Sequence, residues 1–109
     1  MNKKTLLCNN DVEAAILAVP QGHRHLRLAL TDRTGETIII QEATVAAIVR
    51  AYTAVKTHPV MKAVKLVSVK PTGLKKGYAE DQLVEVVEDE KKIIAELSEL
   101  LEAVNKQCQ

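Results

Sequence analysis

The chain has 109 residues, one domain's worth, of which 47% are hydrophobic, and its formal net charge is +1. That apolar content excludes wholesale disorder, and no run approaches the roughly 20 consecutive apolar residues that span a bilayer. The net charge hides a split: residues 1–78 carry twelve Lys or Arg against five Asp or Glu, a balance of +7, whereas residues 79–109 carry three Lys against nine Asp or Glu, a balance of −6.

There is no Trp and no Phe, and the two aromatics are Tyr52 and Tyr78. The core must therefore come from Val, Ile, Leu and Ala. A small domain built that way gains stability readily from a partner subunit. At the start, Lys3 and Lys4 precede only Leu6, Leu7 and Cys8 before two Asn. That run is shorter than the about 7 to 15 residues of a signal-peptide core, so a cytoplasmic location is expected. Cys8 and Cys108 sit near opposite ends and neither lies in a C-x-x-C, which favours free thiols in that compartment.

In chain order, residues 12–19 read as a strand, although their alanines also suit a helix capped by Asn10 or Asp11. Pro20-Gln21-Gly22 marks a turn. Leu26, Leu28 and Leu30 then alternate with His25, Arg27 and Ala29, the pattern of a half-buried strand. Asp32 to Gly35 suits a type I turn closed by a left-handed glycine, and "ETIIIQ" returns as the partner strand. That turn pairs Leu30 with Ile38 and Leu28 with Ile40, so turn chemistry and hydrophobic pattern agree.

Residues 42–59 predict a helix of about four turns, with Val45, Ile48, Val49, Tyr52 and Val55 as its apolar stripe and Pro59 as its stop. Residues 60–70 read as a fourth strand, followed by a basic loop punctuated by Pro71, Gly73 and Gly77. From Ala79 to Gln107 there is no Gly or Pro. Leu83, Val87, Glu90, Ile94, Leu97, Leu101 and Val104 recur at spacings of four and three, an a/d seam with one polar member. The spacing predicts one helix of up to about 29 residues, 43 Å long. The rival reading makes "QLVEVV" a last strand and begins the helix near Asp89.

The fold class expected is α+β: a mostly antiparallel four-stranded sheet in the order β-β-β-α-β-α, one helix packed on it and a long C-terminal helix. The basic body would occupy 1–78 and the acidic helix 79–109. The expected core comprises Leu26, Leu28, Leu30, Ile38, Ile40, Val45, Ile48, Val49, Tyr52, Leu66, Ile94, Leu97 and Leu101.

Sites for chemistry are sparse. His23 and His25 form an H-x-H, but zinc needs further protein ligands, and Arg24 and Arg27 would repel a cation. A solvated strand face is the plainer reading, with anion contact next. No nucleophile elbow, dinucleotide fingerprint or Walker loop is present. No catalytic residue, metal ligand or cofactor is assigned, and the balance leans away from an enzyme. Arg24, Arg27, Lys62, Lys65, Lys70, Lys75 and Lys76 could track a phosphate backbone, although two tyrosines offer little for base stacking.

Leu83, Val87, Ile94, Leu97, Leu101 and Val104 span 22 residues, more than short strands usually cover. Part of that seam is expected on another chain. The leading expectation is a small non-enzymatic protein acting through homodimerisation by its C-terminal helix. A nucleic-acid or anion-binding module is the alternative, and an accessory subunit of an enzyme the third.

Overall fold

The structure is a computed structural model, and it describes residues 3–73, 76, 77 and 79–108. A short 3-10 turn at Asn9–Asp11 leads into strand β1 (Val12–Ala18), then β2 (Arg27–Asp32), β3 (Thr37–Gln41), helix α1 (Glu42–Thr57), β4 (Leu66–Val69), β5 (Gln82–Glu85) and helix α2 (Glu90–Ala103). The α+β class is observed. Among the described residues no helix is long and apolar enough to cross a membrane.

The β2–β3 hairpin follows from its turn. Asp32 Oδ1 accepts from the Thr34 amide at 2.9 Å, the Thr34 hydroxyl at 2.6 Å and the Glu36 amide at 3.0 Å. Gly35 takes φ +92°, which a side chain disfavours. Leu30 pairs with Ile38 and Leu28 with Ile40, the expected register. Residues 12–18 are a strand, antiparallel to β2 through Leu17↔Leu28 and Ala15↔Leu30, with an irregularity between Val12 and Ala14. Directly opposed residues share a face. One face of the β1-β2-β3 sheet therefore carries Leu17, Leu28 and Ile40 in one row and Ala15, Leu30 and Ile38 in the next. The other face carries the row Ile16, Ala29 and Ile39.

The single four-stranded sheet is not formed. β4 pairs instead with β5, through Val67↔Val84 and Ser68↔Leu83, as a separate two-stranded sheet. The Val86 amide donates to the Lys65 carbonyl at 3.0 Å and extends that ladder. The expected 79–107 helix is thereby corrected to a strand and a 14-residue helix about 21 Å long. Local propensity permits this and a distant partner decides it. Val84, Val86 and Val87 are β-branched and favour extended backbone, and β4 offers an unpaired edge. Asp89 then caps α2, its side chain accepting from the Lys91 amide at 3.1 Å.

Helix α1 follows β3 without a loop. The Gln41 side chain makes no cap bond. Glu42 instead turns its carboxylate back to accept from the Leu26 amide at 2.5 Å, which ties the helix to the entry of β2. At the other end His58 Nδ1 accepts from the amides of Val60 and Met61 at 3.1 and 2.9 Å and ends the helix before the chain turns away.

The expected core is the largest correction. Among the described residues only Cys8 and Ala47 are buried. Leu26, Leu28, Leu30, Ile40, Val45 and Leu66 are half-buried, but Ile38, Ile48, Val49, Tyr52, Ile94, Leu97 and Leu101 are exposed, Tyr52 by 65% and Leu97 by 58%. Helix α1 turns its small side, with Ala47, Ala51 and Ala54, inward. Alanines allow close approach to the strands. Ile48, Val49 and Tyr52, expected to face the core, look outward.

The free thiols are also corrected, because Cys8 and Cys108 form a disulfide with Cα atoms 5.3 Å apart. Lys106 explains their meeting. Its Nζ donates to the Asp11 carboxylate and to the Leu6 carbonyl, so the tail after α2 lies beside the N-terminal segment.

Candidate functional site

The seven basic residues do not share one surface element. Arg24 lies in the turn before β2 and Arg27 opens β2, on the first sheet. Lys65 and Lys70 flank β4 on the second sheet. Lys65 Nζ donates to both Glu96 carboxylate oxygens, at 2.8 and 3.1 Å, and this bond raises the lysine's pKa against the opposing effect of desolvation. Lys70 stands 3.7 Å from Asp81, with both side chains largely in water. The Lys62 backbone amide donates to Glu90 Oε1 at 2.7 Å, and Lys76 is exposed in the loop. Lys75 lies outside the described residues.

The six seam residues are likewise divided. Leu83 is half-buried in β5, Val87 projects fully into solvent in the link to α2, and Val104 is half-buried just past the helix. Ile94, Leu97 and Leu101 remain as one helical stripe at spacings of three and four, widened by Leu100, and all four are exposed. Helix α2 is held by its ends and its polar side. Glu90 reaches the amides of Lys62 and Ala63, Glu96 meets Lys65, and the tail is bridged to Cys8. An open cavity of about 450 Å³, lined by Met61, Val64, Val86 and Ile93 among others, lies beside the start of α2.

A second arrangement was not singled out from the sequence. A cleft of about 500 Å³ opens between the start of β2, the first turns of α1 and β5. It is lined by His25 from the bend before β2, by Arg27 and Gln41 from the first sheet, by Ala43, Ala46 and Arg50 from α1, and by Gln82 and Leu83 from β5. Ala43, Ala46 and Arg50 are three and four apart, so they share one helix face. The readable signal was that small-small-Arg spacing beside the "HLR" strand entry. What could not be read was that β5 would close the third side.

Two carboxyl groups outside the cleft are held below their ordinary range. Asp11 is lowered chiefly by its bond from Lys106, then by the Cys8 amide, which donates at 2.9 Å. Asp32 is lowered chiefly by the Thr34 hydroxyl, then by the turn amides. Both are structural ties. Among the described residues no group of three or more His, Cys, Asp or Glu is placed to hold a metal ion. His58 is used as a helix stop, and His23 is exposed in the turn.

Comparison of the chain with protein-family models, with curated proteins and with solved structures finds no match, so the functional reading rests on the chain's own physical chemistry.

Proposed function

We propose that this protein works as a non-enzymatic assembly element, a homo-oligomer whose subunits meet through the apolar side of α2 and the outward side of α1. The observation that carries this reading is its surface. The chain exposes 9281 Å², where a compact monomer of 12.0 kDa exposes about 6,000 Å². The excess of about 3,300 Å² is roughly four times the 800 Å² that each partner gives to a standard interface. Its radius of gyration, 16.2 Å, likewise exceeds the about 13 Å of a compact chain this long.

The character of the excess supports the same reading. Ile94, Leu97, Leu100 and Leu101 on α2, and Ile48, Val49 and Tyr52 on α1, form two stripes rather than scattered single residues. Among the described residues, neither stripe is covered by another element. A second copy carries both. The cytoplasmic location belongs to this proposal too, with one condition: the Cys8–Cys108 bridge must persist against cellular reductants.

Light scattering coupled to size exclusion tests the reading. The expected result at micromolar concentration is a dimer or larger species that Leu97→Glu converts to a smaller one. A monomer that keeps its full stability in Leu97→Glu would refute it. Assembly only in the presence of a different chain would favour the accessory-subunit reading, in which the same stripes meet a foreign partner.

A further inference from the structure

The cleft beside β5 is independent of the assembly stripes. Its chemistry is that of an incomplete ion pair. Arg27 and Arg50 line one cavity from two different elements, with His25 and Gln41 beside them. One carboxylate is present, that of Glu42, and its Oε1 is engaged by the Leu26 amide. Neither arginine has a carboxylate partner among the described residues.

Arg27 is also held in place. Its Nη1 donates to the carbonyls of His25 and Leu26, at 3.0 and 3.2 Å. Both bonds use Nη1, so the planar guanidinium keeps its other donors for a carboxylate or phosphate. Apart from Gln82, the rest of the lining is small or apolar. Ala43 and Ala46 leave open the space that larger side chains would fill, and Leu83 provides an apolar wall. A volume of about 500 Å³ is that of a small-molecule site and far exceeds a bare phosphate.

We propose that this cleft binds a small organic anion, a phosphate or carboxylate on an apolar body, with Arg27 and Arg50 as the paired cationic contacts and Ala43, Ala46 and Leu83 receiving the body. The two arginines arrive from β2 and α1, so the site exists only once those elements are docked. Glu42 sets the selectivity. Its negative charge in the same lining disfavours densely charged polyanions.

The test is a titration of the full chain with phenyl phosphate and, in parallel, benzoate, followed by the amide NMR shifts of Arg27, Gln41, Ala43 and Leu83. Saturable shifts at these positions are expected with at least one probe, and the probe that binds tells phosphate from carboxylate. Arg50→Gln should weaken binding about tenfold or more. Ala46→Met, which fills the cleft without changing charge, should weaken it comparably. Lys56→Gln, on α1 but outside the lining, should leave it unchanged.

Absence of saturation with both probes would overturn the proposal. So would an equal loss in Lys56→Gln, which would mean general attraction to a basic surface. If Arg50→Gln dissociates the oligomer while neither probe binds, the cleft belongs to a neighbouring chain and the ligand site is refuted, with the assembly reading left standing.

Discussion

Single side chains settle more of this structure than its thin core does. Asp32 and Gly35 set the β2–β3 hairpin, and each does so by a separable mechanism. Gly35 has open space where a Cβ would sit, but its φ is +92°. Gly35→Ala therefore carries a backbone cost alone, and it should lower stability in urea titrations by about 1 to 2 kcal/mol. Asp32 acts through its charge. Its carboxyl, like that of Asp11, is lowered from an ordinary value of 3.8. The sign follows from linkage: both contributions are complete above the unfolded value and vanish as pH falls through the lower folded values. Stability should thus decline with acid below pH 3.8. Asp32→Ala and Asp11→Ala should each be less stable than the parent at neutral pH and show a shallower acid decline. A parallel decline in parent and variants would assign the acid sensitivity elsewhere.

At the scale of elements, α2 differs from the rest. The first sheet and α1 support one another through β2, β3 and Glu42, whereas α2 hangs between a polar tie at its start and a covalent one after its end. Glu90→Ala removes the acceptor for the amides of Lys62 and Ala63, and their hydrogen exchange should quicken about tenfold. The disulfide joins positions separated by 100 residues. In the chain-entropy account, a closure of that length stabilises by several kcal/mol. Reduction, or Cys108→Ser, should lower the unfolding free energy by about 3 kcal/mol and speed exchange in α2 before it does so in β2. Equal exchange in both elements after reduction would show that the bridge is not what holds the tail.

The whole molecule is an open one. Its two small sheets meet at α1 with a cleft between β2 and β5, and Ile16 and Ile39, which flank Ala29 in one row of the first sheet, are exposed. The outward stripe of α1 makes a specific demand on assembly. Tyr52 is its largest member and the sort of residue that anchors an interface. Tyr52→Ala should weaken self-association by about 2 kcal/mol, near 30-fold, in sedimentation equilibrium, without changing the circular dichroism of the subunit. An unchanged association constant would remove α1 from the interface and leave α2 as the contact.

What could be read in advance was local. Strict alternation in residues 26–30, the Asp32-to-Gly35 turn and the apolar period of 42–57 each depend on residues a few positions apart, and strand, register and helix all followed from them. The acidic segment misled because its spacings of three and four are also compatible with a strand followed by a helix. Only the unpaired edge of β4, a partner distant in sequence, decided between them for residues 82–85. The cleft was illegible for the same reason: Arg27, Arg50 and Leu83 come from three elements, and no spacing announces their meeting. Cys8 and Cys108 show the limit most plainly. Two cysteines 100 positions apart carry no periodicity, and their joining depends on where Lys106 finds Asp11. The hairpin, the first helix and the division of charge were legible in advance because they rest on near-neighbour sterics and composition. The second sheet, the disulfide, the cleft and the exposed face of α1 come instead from pairings between distant segments, which no local pattern announces.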